Sequence, residues 1–157
     1  MPEDPGAAGH PYINCSPECW RVYGEVLERE YTNALLFARV HQLTVDSYAL
    51  QHPGGRHPDK SIAVHLLGMF LTQERGLRSN DVPPLLRLAV QRTDRWPRLA
   101  PPEQGSSLTV FDVALADESE HEDAVRRWAA SVWTSWIKHR DTAAELARVV
   151  ARPATLK

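Results

Sequence analysis

Four of the chain's seven histidines lie between His41 and His65, in HQLTVDSYALQHPGGRHPDKSIAVH, with Asp46 and Tyr48 among them. Imidazoles near a carboxylate and a phenol are the raw material of general acid–base chemistry or of a metal site. The chain's two cysteines stand upstream in Cys15-Ser16-Pro17-Glu18-Cys19. Ser16 reads as an N-cap and Pro17 as the first helical residue, so Cys19 falls at the third helical position. There the unpaired N–H groups and the positive end of the helix dipole favour a thiolate, while Glu18 opposes it. Such a sulfur can ligate a metal, attack an electrophile, or pair with Cys15.

The histidines differ in what surrounds them. His65 sits mid-way along the most apolar stretch, IAVHLLGMFL, so a buried ring with both nitrogens occupied is expected. His52 ends a helix before Pro53 and is placed to turn inward. His41 extends an apolar helical face, and His57, in a Gly/Pro loop, is expected to face solvent. Asp46 fits as a carboxylate orienting an imidazole, or as an oxygen ligand. Two more histidines, His121 and His139, share a face with Trp128, which reads mainly as packing.

Positioning these residues calls for helices. Trp20, Tyr23, Leu27, Tyr31, Ala34, Ala38 and His41 recur at three- and four-residue steps, which predicts one helix from Pro17 to about His41. Thr44 is expected to cap a short second helix ending before Pro53, and a third runs from about Lys60 to Arg75 with Gly76 as its stop. Asp81 is expected to cap a fourth helix. RTDRWPRLAPPEQGSS forms a long Pro-rich loop, and LTVFDVALA reads as a short helix capped by Thr109 or, less well, as a lone strand. His121, Val125, Trp128, Val132, Trp136 and His139 share a face of a helix from about Ser119 to His139, followed by a last helix capped by Asp141. The expectation is an all-α compact bundle of five or six helices. Residues 1–14 are expected to form a flexible arm and residues 15–157 a single helical domain.

Composition bounds the function. At 157 residues, 43% apolar and 24% charged, the chain is one ordinary globular domain's worth. A net charge of −2 gives no basic field for nucleic acid or anionic membrane. No apolar run is long enough to span a bilayer, and the acidic, Pro/Gly-rich N-terminus is unlike a signal peptide, so a cytoplasmic protein is expected. P-loop, dinucleotide-binding, His-Glu-x-x-His and Gly-x-Ser-x-Gly signatures are absent.

The strings SPECWRVYGEVLEREY, HQLTVDSYALQHPG, SIAVHLLGMFLTQERG and WAASVWTSWIKH resemble a family of small bacterial proteins of unknown function, over roughly Tyr12 to His139. The resemblance implies a bacterial origin and no established activity. Many relatives carry a Cys-Pro-x-Cys-Gly pair ahead of the helix start, which this chain lacks.

The residues themselves predict a Cys/His-lined site that binds a transition metal. Cys19, His52 and His65 are the first ligands and Cys15 or His41 the fourth, with zinc preferred over copper or iron. A metal-free alternative makes Cys19 a nucleophile, a nearby histidine its base and Asp46 the orienting carboxylate. A third reading is a non-enzymatic interaction module, dimeric through the Trp-rich helix or the Pro-rich loop, with structural histidines.

Overall fold

The computed structural model describes residues 10–153. Seven α-helices succeed one another, with no strand among the described residues: α1 (Pro17–Tyr31), α2 (Ala34–Gln51), α3 (Asp59–Gln73), α4 (Val82–Arg92), α5 (Val110–Leu115), α6 (His121–Trp136) and α7 (Arg140–Ala151). Short 3-10 turns lead into α4 and α6 and join α6 to α7. The all-α bundle is as expected. None of its helices is long and apolar enough to cross a membrane.

The helix boundaries differ from the periodicity in an instructive way. The continuous face predicted from Pro17 to His41 breaks at Thr32–Asn33, and the predicted short second helix is the back half of α2. Asn33 is extended (φ −132°, ψ 98°) and its side chain accepts from the Leu36 N–H at 3.1 Å, an N-cap in mid-stripe. The Thr32 hydroxyl donates to the carbonyls of Glu28 and Arg29, closing α1. The bend turns α2 back along α1 and leaves Tyr31 at 66% exposure, off the core face where the pattern put it. Thr44, expected as a cap, is buried inside α2.

Pairing of α2 with α3 and of α2 with α6 forms the centre. Leu43, Tyr48, Leu50, Leu66, Leu67, Met69, Phe70, Trp128 and Trp136 are buried there. Two tryptophans hold the C-terminal end of α2. Trp136 Nε1 donates to the Leu50 carbonyl at 3.0 Å and Trp128 Nε1 to Gln51 Oε1 at 2.7 Å, so the indoles are satisfied and an end carbonyl of α2 is paired. These bonds fix the backbone immediately before His52.

The start of α1 follows the sequence reading, with Ser16 Oγ accepting from the Cys19 N–H at 3.1 Å and Pro17 leading the helix. The ambiguous segment is helical: Thr109 and Asp112 make the capping box of α5. Gly76, at φ +67°, follows α3 as its stop. Asp81 and Asp141 make no capping bond; Asp81 pairs with Arg78, and α6 passes through a 3-10 turn, Ile137–His139, into α7. Residues 1–9 of the expected arm lie outside the described residues. His10 is packed edge-on against Trp20, and its Nδ1 accepts from the N–H groups of Tyr12 and Ile13.

Candidate functional site

Three polar arrangements are built along α2, each on a different part of its surface. The first joins the start of α1 to the end of α2. The Cys19 thiol lies 3.4 Å from His52 Nε2, and the Tyr48 hydroxyl donates to the same sulfur at 3.5 Å. The Asn14 backbone favours the charged form of the His52 ring, but less than burial opposes it. Tyr48 is held flat against Tyr23, with ring centroids 3.8 Å apart and planes 8° from parallel. Cys15, half-buried, bears on the same hydroxyl, whose pKa is driven far up by burial and then by the two thiols.

The electrostatics of this corner run against the expectation for Cys19. Burial pushes its thiol pKa up, the Tyr48 hydrogen bond only partly offsets that, and Cys15 and Glu18 add to the rise. At 6% exposure the sulfur loses more by leaving water than it gains from the helix end. His52 moves the opposite way, its pKa lowered mainly by burial. The pair is therefore a neutral thiol beside a neutral imidazole.

A second arrangement surrounds Asp46, which is fully buried rather than placed in an open first turn. His65 Nδ1 donates to Asp46 Oδ1 at 2.8 Å, and Gln42 Nε2 donates to the same oxygen at 2.8 Å. Oδ2 has no partner and rests over Gly68, where a Cβ would come within 2.2 Å of it. Burial drives the Asp46 pKa up, against the opposing pull of His65 and Gln42. His65 is not sealed in the core as expected: its side chain is 20% exposed, with Nδ1 turned inward to the carboxylate.

Glu30, a residue the sequence reading passed over, organises the third. It is fully buried and accepts from His41 Nδ1 at 2.8 Å, His121 Nε2 at 3.0 Å and the Thr44 hydroxyl. His41 is thus committed to a carboxylate and stacks on Phe37. His57, expected to face solvent, is buried at 6% exposure, with its Nδ1 donating to the His52 carbonyl at 3.0 Å. His139 donates from Nε2 to the Ala100 carbonyl, pinning the Pro-rich loop.

The structure therefore brings Cys19, Cys15 and His52 to one corner, and holds His65 with Asp46 and His41 with Glu30 elsewhere. Among the described residues no group of three or more His, Cys, Asp or Glu side chains is placed to hold a metal ion. The signals that mark Glu30 and Gly68 in the sequence are faint. Glu30 looks like part of a charged surface run, LEREY, and Gly68 like a tolerated helical glycine.

No curated protein matches the chain, and no solved structure does. Residues 5–137 match the model of a family of unknown function, DUF5946, and the chain belongs to that family.

Proposed function

We propose that the corner formed by Cys15, Cys19 and His52 is a binding site for a soft divalent metal, zinc before others. The observation that carries this reading is the 3.4 Å approach of Cys19 Sγ to His52 Nε2. Zinc bonds of about 2.3 Å to sulfur and about 2.0 Å to nitrogen, opened to a tetrahedral angle, put such donors about 3.5 Å apart. The protonation states agree with it. A nucleophilic cysteine needs its proton to pass to the imidazole, and burial of both groups drives it back to sulfur. A bound cation supplies the charge that the buried thiolate lacks, while the Tyr48 hydroxyl donates to it. Cys15, half-buried against the same Tyr48 hydroxyl, is the candidate third ligand, with a fourth position left for water.

Titration of reduced protein with cobalt(II) tests this. About one equivalent is expected to bind with sulfur-to-cobalt charge-transfer absorption. The absorption should vanish in Cys19→Ser and His52→Ala, and affinity should fall at least tenfold in Cys15→Ser. His41→Ala and His65→Ala should bind as the wild type does. Wild-type protein that gives no such absorption, or binding that survives in Cys19→Ser, overturns the reading. Fast alkylation of metal-free Cys19 at neutral pH would instead favour a thiol nucleophile.

A further inference from the structure

Beyond the metal reading, and independently of it, a cavity of about 530 Å³ lies between α7 and the chain that leaves α4. Arg95 and Trp96 come from the start of the Pro-rich loop, and Arg148 and Arg152 from the end of α7. Spaced four residues apart at that end, the last two reach toward the same space. All three arginines line the cavity, against one carboxylate, Glu145. Among the described residues the arginines in ion pairs are Arg21, Arg39, Arg78, Arg126 and Arg140. The three at the cavity thus have no carboxylate partner there, although the whole chain carries a net charge of −2.

Both walls are tied down. Arg92, the last residue of α4, donates to the carbonyls of Val149 and Arg152 at 3.2 and 2.8 Å. That joins α4 to the end of α7 and pairs carbonyls that would otherwise repel an anion. The loop is anchored by Trp96, half-buried against the core, by buried Leu99, and by the His139 bond to the Ala100 carbonyl. Leu146 and Val149 line the cavity with Trp96, so an apolar wall stands beside the guanidinium groups. Lys60 Nζ, 6.0 Å from the Trp96 ring centroid, adds a positive charge at this edge. Thr93 also lines the cavity, and its hydroxyl is buried with no partner among the described residues.

We infer that this cavity binds a small organic phosphate bearing a planar ring, a nucleoside phosphate by class. Guanidinium groups hold phosphate oxygens through paired N–H donors and keep their charge across the physiological pH range. The ring is the part that Trp96, with Leu146 and Val149, takes out of water. Glu145 is an acceptor only, and the sugar hydroxyls are the part of such a ligand that can donate to it. Volume also selects: cavities of roughly 300 to 1,000 Å³ suit single small molecules. A polynucleotide would need an extended basic surface, which a chain of this net charge does not supply.

The test is calorimetric titration of the full-length protein with ADP, adenosine and pyrophosphate. ADP is expected to bind with a Kd of about 100 µM or tighter, and less tightly as salt is raised. Adenosine and pyrophosphate, each lacking one half of the contacts, should bind about tenfold more weakly or worse. Replacing both arginines, Arg148→Gln with Arg152→Gln, should weaken ADP about tenfold or more. Trp96→Leu should weaken ADP and leave pyrophosphate unchanged. Circular dichroism checks folding, and the exposed arginines keep the test valid if Trp96→Leu unfolds. No ADP binding by folded wild-type protein overturns the inference, as does affinity unchanged in the arginine double variant. Pyrophosphate binding as tightly as ADP would leave a bare anion site and overturn the nucleoside assignment. Cobalt titration of the double variant reads the metal proposal separately, since no residue of this cavity is among its ligands.

Discussion

The Asp46 carboxylate depends on a hydrogen atom. Gly68 lies where any larger residue would bring a Cβ to 2.2 Å from Oδ2 and 2.8 Å from Cγ. The side chain it would meet is not the end of a flexible arm, because Asp46 is buried and tied to His65 and Gln42. Gly68 occurs in the interior of α3, where alanine would ordinarily stabilise a helix by up to about 1 kcal/mol. Here overpacking of a closed core outweighs that gain. Gly68→Ala is expected to destabilise the protein by about 2 kcal/mol in urea unfolding. In an Asp46→Ser background, which withdraws the clashing atoms, the same change should cost less than half as much. Equal costs in both backgrounds would mean that Asp46 moves aside freely and that the Gly68 notch does not position it.

Elements carry this precision from place to place, and the break between α1 and α2 is the clearest case. The Asn33 cap opens α2 at the bend that brings His41 and Thr44 to Glu30. Asn33→Ala is expected to cost about 1 kcal/mol, read by urea denaturation, with the Glu30 contacts retained because packing of α2 on α3 and α6 holds the bend. A loss near zero would show that packing alone sets the turn. The cap was legible in the sequence, since Asn precedes an ALLF run, but the three- and four-residue periodicity runs unbroken across it and hides it. The same limitation affected the histidines. Helical spacing correctly put Tyr48 and His52 on one side of α2, and Ser16-Pro17 correctly began α1, but the meeting of Cys19 with His52, 33 residues away, is set by the packing of α1 on α2. Which partner each imidazole takes is decided by pairs 11 to 91 residues apart, such as His41 with Glu30 and His121 with Glu30. Spacing along one helix holds no information on those. His57 was misplaced for a related reason: Gly and Pro mark its loop as a turn but do not reveal that the turn folds onto the end of α2.

At the scale of the whole molecule, Glu30 is where three elements meet, since its carboxylate joins α1 to His41 and Thr44 of α2 and to His121 of α6. Burial alone would push its pKa up. Hydrogen bonds from His121, His41 and Thr44 more than reverse that, and the folded-state pKa lies below the ordinary glutamate value. A carboxyl whose pKa is lowered by folding contributes its stability fully above the unfolded value, about 4.3, and loses it as the pH falls through the lower folded value. Asp46 works in the opposite direction. Its pKa is raised by burial, so its contribution is greatest below the unfolded value and is lost as the pH rises through the folded one. The acid limb of the stability curve is thus a contest between two buried carboxyls, and Glu30, with three donors, is expected to dominate it. Glu30→Gln should cost about 3 kcal/mol at pH 7, because it removes the charge that His41 and His121 are arranged around. It should also flatten the fall in stability as the pH drops below the ordinary glutamate range, since the folded-state Glu30 pKa lies lower still. Urea unfolding of both proteins across that range checks the slope. A variant curve displaced downward but parallel to the wild type would transfer the acid sensitivity to other carboxylates and leave Glu30 with packing alone.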